Sequence, residues 1–344
     1  MLFFPDKTER SKRQHATGKC SAQTRRQFVR DQCTTLHQRH SGDDYFYQGD
    51  VTTVSPARRK RFTPGLFVDD KHKLLFCDLA KVGCTTFKYI LISHSDAYTK
   101  NLHANGRASI KLENIHSENY LQQFGIKRLH SYDDKQIIYR LKNYRKVMAV
   151  RDPLLRMYSS YREKLTSHGE NVPCHSYFKN LGHDILEKIR GNLTAADKIC
   201  AKSVTFREFG QYLGAGLGEG LLKADAHWNE YYKRCFPCAI DYDYYIRMET
   251  GDSDQRHFIK EYLQSNDSTV RLNDVGKTPE KRLADNDYVQ VQRAFSELDH
   301  EDFNKLYNHW YIDSKLFGYS QRLNGSGLVS TCRSTLGTES EQCC

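Results

Sequence analysis

The residues best suited to chemistry lie in a short loop between two apolar runs. One cation, one glycine and two hydroxyls occur within six residues, in the order Lys81, Val82, Gly83, Cys84, Thr85 and Thr86. A loop that leaves a buried strand and opens a helix presents unpaired backbone N–H groups, and these attract an anion together with the helix dipole. The glycine lets the backbone approach a phosphate closely. The loop is a candidate phosphate site, although an ordinary β–α turn with a solvated lysine has the same composition.

This loop lacks the pattern of the common nucleoside triphosphate sites. A Walker A loop reads G-x-x-x-x-G-K-[ST], with its lysine after the second glycine. Here Lys81 precedes Gly83, and no first glycine stands where the pattern requires one. An ATP-dependent nucleotide kinase that shares an α/β core is therefore disfavoured.

A second candidate site follows another apolar run, which ends at Val150. Arg151 comes directly after this run, and Arg156 and Ser159 lie one helical turn apart in the segment beyond it. An arginine fork binds two phosphate oxygens, so Arg151 and Ser159 could hold a second phosphate. The open alternative is that Arg151 pairs with an acidic neighbour and Ser159 only packs.

Two strand–loop–helix units must position these residues. The first runs from an apolar strand at 73–80 to a helix at 87–94, and the second from a strand at 146–150 to a helix at 154–165. Short apolar runs that end in a turn and a helix predict an α/β fold with a central parallel sheet flanked by helices. Such sheets bind ligands at the carboxyl ends of their strands. Two phosphate sites at that edge indicate a nucleotide phosphorylated at two positions.

Capping residues and an apolar stripe support the second helix. Asp152 suits the N-cap and Pro153 the first helical position. The stripe comprises Leu154, Tyr158, Tyr161 and Leu165. Further helices are predicted over 117–124, 135–143, 183–190, 205–213, 255–264 and 287–308.

By composition, the 344 residues divide into three parts. Residues 1–65 carry most of the net charge of +10 and lack periodicity, which predicts a basic flexible arm or stem. Residues 66–321 carry the strand and helix signals of a folded domain. Residues 322–344 are rich in glycine and serine and are expected to form a flexible tail.

The sequence gives mixed signals about the compartment. No apolar run approaches the roughly 20 residues of a membrane helix, and the apolar start is too short for a signal peptide. Eleven cysteines, an odd number, leave at least one thiol unpaired within the chain. Asn192, Asn266 and Asn324 lie in glycosylation sequons, which matter only in the secretory pathway.

Taken in order, these motifs resemble those of the Golgi carbohydrate sulfotransferases. The group in question contains the chondroitin 4-O-, dermatan 4-O-, GalNAc 4-O- and HNK-1 sulfotransferases. The loop at 81–86 resembles the family's 5′-phosphosulfate motif, and residues 150–159 resemble its 3′-phosphate motif. The resemblance spans about residues 72–320. The further matching segments are 141–146, 204–209, 227–228, 235–238, 242–243, 249–250 and 317–320.

This resemblance implies a P-loop-like sulfotransferase fold and an enzyme that uses 3′-phosphoadenosine 5′-phosphosulfate (PAPS). Residues 81–86 would hold the 5′-phosphosulfate, and Arg151 and Ser159 the 3′-phosphate. The acceptor would be a glycan hydroxyl on a glycosaminoglycan or N-glycan, with the GalNAc 4-O position of chondroitin or dermatan chains favoured. No metal or nucleic acid is expected. Family members are Golgi proteins with an N-terminal membrane anchor, and no anchor is visible in this sequence.

The residue types and the resemblance also suggest catalytic roles. Lys81 is the candidate for stabilising the bridging oxygen as the S–O bond breaks. His116 is the first candidate for the general base and His227 the second, with a Glu or Asp base left open.

Cys235 and Cys238 are expected in disulfides, not necessarily with each other. The alternative function is a catalytically degenerate relative whose basic arm binds polyanions or glycans.

Overall fold

A five-stranded sheet forms the centre of the protein, in the spatial order β3-β1-β2-β4-β5. Its strands are β1 (Leu66–Asp69), β2 (Leu74–Cys77), β3 (Ile126–Arg128), β4 (Arg145–Val150) and β5 (Tyr244–Arg247). The structure is a computed structural model. It describes residues 22–105, 109–166, 176–201, 203–217, 225–265, 288–324, 327–333 and 339–340.

The strand pairing confirms the predicted α/β class and adds one reversed strand. Strands β2, β4 and β5 are parallel neighbours, with Cys77 opposite Met148 and Val150 opposite Arg247. Strand β1 runs antiparallel to both β2 and β3. Only residues 70–73 separate β1 from β2, and so short a connection can join antiparallel strands but not parallel ones.

Helices cover the sheet and build a second apolar cluster beside it. In chain order they are α1 (Ala22–Arg39), α2 (Pro56–Arg61), α3 (Cys84–Ser93), α4 (Asp96–Asn105), α5 (Glu118–Gln122), α6 (Asp134–Asn143), α7 (Pro153–Tyr161), α8 (Ser176–Arg190), α9 (Ala195–Cys200), α10 (Phe206–Gly214), α11 (Tyr231–Cys235), α12 (Gly251–Tyr262), α13 (Tyr288–Ser296), α14 (His300–His309) and α15 (Tyr311–Phe317). The predicted helix over 287–308 is two helices, because the Asp299 side chain caps α14 by accepting from the Asp302 N–H.

Helix α7 carries the predicted caps and stripe. The Asp152 carboxylate accepts from the backbone N–H groups of Leu154 and Leu155. All four stripe residues are buried in the second cluster: Leu154, Tyr158, Tyr161 and Leu165. The last of them lies beyond α7 in a π-helical turn, Arg162–Thr166. The sequence therefore predicted the buried face but not this local change of helix type.

The predicted flexible arm differs from the structure over residues 22–65. Helix α1 buries Val29, Cys33 and Leu36 in the core that surrounds the sheet. Arg25 forms an ion pair with Asp254, both of them buried. The polar composition of this segment hid its packing, because charge partners and a disulfide partner far along the chain help its apolar positions to hold it in place.

More of the arm's positive charge is neutralised at one surface position. Arg26 and Arg30 both donate to Asp241, with Nε–Oδ1 distances of 3.1 and 2.9 Å. The Asp241 side chain is close to half exposed, and exposed pairs contribute little to stability. The pairs nevertheless reduce the charge that this part of the chain could offer a polyanion.

The predicted C-terminal tail also contains regular structure. Strands β6 (Tyr319–Asn324), β7 (Gly327–Arg333) and β8 (Glu339–Ser340) form an antiparallel sheet. Leu328 is buried in the second cluster, and its carbonyl accepts from Gln292 Nε2 at 2.6 Å. Asn324 at the end of β6 is paired with Gly327 at the start of β7, within the segment expected to form a tail.

Two disulfides whose cysteines both lie in the described residues tie distant segments together and confirm the expectation for the cysteines at 235 and 238. Cys33 of α1 is bonded to Cys238, and Cys77 of β2 is bonded to Cys235. Cys84 is a free thiol. Within the described ranges, no helix combines the length and apolar character needed to cross a bilayer.

The packing of α1 generates a stability prediction. Leu36→Ala should lower the free energy of unfolding by about 2–5 kcal/mol, because a buried leucine is lost from the core. Thr35→Ala, on the exposed face of the same helix, should change it by less than about 0.5 kcal/mol. Urea unfolding followed by circular dichroism measures both. Two variants as stable as the wild type would contradict the packing of α1.

Candidate functional site

The 81–86 loop joins β2 to α3 through two residues in left-handed backbone conformation. Gly83 is the N-cap of α3 with φ 82°, and Lys81 has φ 67°. Glycine adopts this region freely, whereas a lysine there is strained. A strained backbone conformation persists only where the surrounding structure holds it in place. Such conformations are common at active sites and ligand-binding loops.

The side chains of the loop divide into buried and accessible ones. The side chains of Val82 and Thr86 are buried. Thr85 is partly exposed and is the hydroxyl that the loop presents outward. Cys84, the first residue of α3, is partly exposed, and burial of its sulfur raises the pKa of the thiol. The chemically accessible set is therefore smaller than the six residues of the motif.

Lys81 is paired with Glu163, which lies in the π-helical turn after α7. Burial lowers the pKa of Lys81, and Glu163 offsets part of this effect. Burial would raise the pKa of Glu163, but the charges of Lys81 and Lys164 outweigh it and hold that pKa at about 2. The glutamate is thus an anion at neutral pH and contacts the Lys81 ammonium.

His116 lies against the same loop. Its Nε2 lies 3.1 Å from Thr85 Oγ1 and its Nδ1 lies 3.2 Å from Lys88 Nζ. Because an ammonium can only donate, Nδ1 is the acceptor, and the neutral ring carries its hydrogen on Nε2 toward Thr85. Burial and the Lys88 charge lower the pKa of His116 to about 4, against an opposing effect of Asp78.

Lys88 and Asp78 form the charged base of this arrangement. Lys88 is buried, and its Nζ lies 2.9 Å from Asp78 Oδ1. Burial would raise the pKa of Asp78, but the charges of Lys88 and Arg128 lower it overall. Sequence analysis did not assign these two residues a role. The available signal was a lysine inside the apolar run of α3, since a buried lysine needs a partner.

Arg151 and Ser159 carry hydrogen-bond donors that remain unpaired within the described residues. Arg151 follows the last residue of β4, next to the end of β2, and both residues are partly exposed. Across the described ranges, neither the Arg151 guanidinium nor the Ser159 hydroxyl has a hydrogen-bond or ion-pair partner. The charge of Arg151 adds to the effect of burial in lowering the pKa of Lys81, so the two cations lie within electrostatic reach of each other.

The Arg156 side chain binds backbone carbonyls of the protein. Its guanidinium donates to the carbonyls of Ala80, Ala226 and Asn229 at 2.9, 2.7 and 2.7 Å. The side chain is buried and lies over the Tyr231 ring. Arg156 therefore ties the loop after β2 to the segment before α11.

His227, the second candidate for the general base, is held by neighbouring side chains. Its Nδ1 lies 2.6 Å from Asp225 Oδ1, and its ring packs near Phe178 and Trp228. Its carbonyl accepts from Ser160 Oγ at 2.8 Å. Within the described residues, no contact joins His227 to the 81–86 loop, so the fold brings His116 and not His227 to that loop.

The remaining site candidates are the three asparagines of the glycosylation sequons. Asn192 is exposed between α8 and α9, and Asn324 is the last residue of β6. Asn266 lies outside the described residues. Over the part of the chain that the structure describes, no cluster of three His, Cys, Asp or Glu side chains could hold a metal ion.

Comparison with known proteins identifies the family. The sequence model of the sulfotransferase family matches residues 64–320. Carbohydrate sulfotransferase 9 of Homo sapiens is 30% identical over 257 residues, which cover 74% of this chain and 53% of that protein. Carbohydrate sulfotransferase 10 of Gallus gallus is 30% identical over 262 residues, covering 74% of this chain and 66% of that protein.

Carbohydrate sulfotransferase 14 of Danio rerio is 29% identical over 236 residues, covering 69% of this chain and 56% of that protein. The matches span between about half and two thirds of the length of these three relatives. No solved structure matches the chain significantly. With a family match over well more than half of its length, the chain belongs to the sulfotransferase family.

Proposed function

We propose that this protein transfers a sulfuryl group from PAPS to a hydroxyl of a glycan. The observation that carries the proposal is the pairing of β2 with β4, which puts the Lys81 loop and Arg151 at the carboxyl ends of adjacent parallel strands. A donor with phosphate at both its 5′ and 3′ positions requires two such anion sites close together. The relatives named as carbohydrate sulfotransferases support the same reaction class.

The residues present fit this donor. The backbone N–H groups at the start of α3, the Thr85 hydroxyl and the Lys81 ammonium suit a 5′-phosphosulfate. Arg151 and Ser159, whose donors are uncommitted within the described chain, suit a 3′-phosphate. PAPS supplies an activated sulfuryl group attached through a bridging oxygen to its 5′-phosphate. Lys81 would then exchange its contact with Glu163 for one with the anionic ligand and stabilise charge on the bridging oxygen.

His116 is our candidate for the group that takes the proton of the acceptor hydroxyl. Its lowered pKa keeps the ring neutral at physiological pH, as a base requires. In the structure its Nδ1 lone pair faces Lys88, so the base role requires this contact to open. With the contact closed, the ring orients Thr85 by donating to its hydroxyl.

The finer acceptor assignment rests on the motif resemblance. We infer a glycosaminoglycan or N-glycan acceptor, with the GalNAc 4-O position of chondroitin or dermatan chains as the first choice, and a Golgi location. The comparisons lend no support to the alternative of a non-catalytic polyanion-binding relative. Incubation with labelled PAPS and a panel of desulfated glycans tests the acceptor by showing which sugar position gains label.

Two substitutions test the donor sites. Lys81→Ala and Arg151→Ala should each reduce kcat/KM for PAPS by about 100-fold or more, because each removes a charge-assisted contact to the donor. Initial rates with labelled PAPS and the accepted glycan provide the measurement, and unfolding curves show that each variant is folded.

Exposed cations elsewhere provide matched controls for the loss of charge. Lys127→Ala in β3 and Arg39→Ala at the end of α1 should retain wild-type rates, since both residues lie on the surface. Full turnover by Lys81→Ala or Arg151→Ala would overturn the proposed site.

The environment of His116 predicts its titration. In the ligand-free protein the ring should protonate only as pH falls through about 4, and Lys88→Met should raise this midpoint by removing a nearby positive charge. Histidine chemical shifts followed by NMR between pH 3 and 8 give the midpoint. Lys127→Met is the control and should leave it unchanged. A wild-type midpoint near the ordinary value of about 6.5 would contradict the geometry at Lys88.

A further inference from the structure

The backbone that carries Arg151 is held by contacts from three other parts of the chain. The Tyr231 hydroxyl donates to the Arg151 carbonyl at 2.9 Å. The Asp152 N–H donates to Glu249 Oε1 at 2.8 Å. Gln321 Nε2 donates to Asp152 Oδ2 at 3.0 Å. Contacts from α11, from the segment after β5 and from β6 thus converge on two consecutive residues.

Both side chains depend on β6. Gln321 belongs to this strand, and Glu249 is hydrogen-bonded to Tyr319 of the same strand. The Tyr319 hydroxyl donates to Glu249 Oε2 at 2.9 Å, so that the carboxylate bridges β6 and the Asp152 backbone. Gln321 is buried, and within the described chain its Oε1 has no hydrogen-bond partner. A buried glutamine is costly to leave half satisfied, which makes its remaining contact with Asp152 its evident role.

We propose that Glu249 and Gln321 are positioning residues that fix the turn at Arg151 and thereby set the affinity for the 3′-phosphate of the donor. The inference rests on the proposed function, in which Arg151 binds that phosphate. An arginine fork binds two phosphate oxygens most tightly when its backbone is fixed. If the backbone moves, ordering the long side chain on binding costs free energy and weakens the affinity. Neither residue needs to touch the ligand for this effect.

The test compares two nucleotides that differ only at the 3′ position. Isothermal titration calorimetry measures the Kd of adenosine 3′,5′-bisphosphate and of adenosine 5′-monophosphate for each protein. Glu249→Ala should weaken binding of the bisphosphate by about tenfold, because it removes the acceptor of the Asp152 N–H and so loosens the turn that carries Arg151. Binding of the monophosphate should not change, because the 81–86 loop is not held by Glu249.

Conservative variants separate positioning from general damage. Glu249→Gln retains an oxygen acceptor for the Asp152 N–H and should restore bisphosphate binding to within about threefold of wild type. Gln321→Leu keeps the buried volume but loses the donor to Asp152, so it should reduce bisphosphate binding selectively even if Glu249→Ala does not fold. Gln292→Ala, which removes a hydrogen bond to β7 away from Arg151, is the control and should bind both nucleotides normally.

The outcomes distinguish this inference from the proposed function. A wild-type protein that does not prefer the bisphosphate to the monophosphate would overturn the assignment of Arg151, and with it both proposals. A wild-type preference that persists in Glu249→Ala and Gln321→Leu would overturn the positioning role alone. Equal weakening of both nucleotides in these variants would show a general structural role and would likewise overturn it.

Discussion

The parallel pairing of β2 with β4 is the constraint on which the candidate site depends. Neighbouring strands lie roughly 4.8 Å apart, and parallel strands deliver their following loops to the same edge of the sheet. With Cys77 opposite Met148, the loop that contains Lys81 and the turn at Arg151 start from adjacent positions. An antiparallel pairing of the same two strands would place the two cations at opposite edges.

Several positive charges close together at one edge of the sheet repel each other and destabilise the fold. Ion pairs and hydrogen bonds to individual cations offset this effect. Lys88 is buried against Asp78, and Lys81 is paired with Glu163. The Arg156 guanidinium donates hydrogen bonds to three backbone carbonyls. A buried cation without such partners would destabilise the fold. The partly exposed Arg151 has no hydrogen-bond or ion-pair partner among the described residues, and this is why we propose that it binds the donor.

Segments far from the sheet in sequence complete this edge. The disulfide between Cys77 and Cys235 joins the last residue of β2 to α11, which also supplies the tyrosine that holds the Arg151 carbonyl. Strand β6 reaches Asp152 through Gln321. The site is therefore a product of the whole domain, including the C-terminal hairpin, rather than of the two motif loops alone.

Local sequence patterns determined the two β–α units, the N-cap of α7 and its buried stripe, because caps and apolar periodicity act over one or two helical turns. The motif order also predicted anion sites at the 81–86 loop and at Arg151. Only the tertiary structure decided that His116 meets Thr85, 31 residues away, and that Glu163 meets Lys81, 82 residues away. It likewise decided that α1 packs on the core, despite a composition typical of a mobile arm. Contacts of this kind depend on strand order and on the direction of each chain crossing, and the periodicity of a short segment carries no information about either.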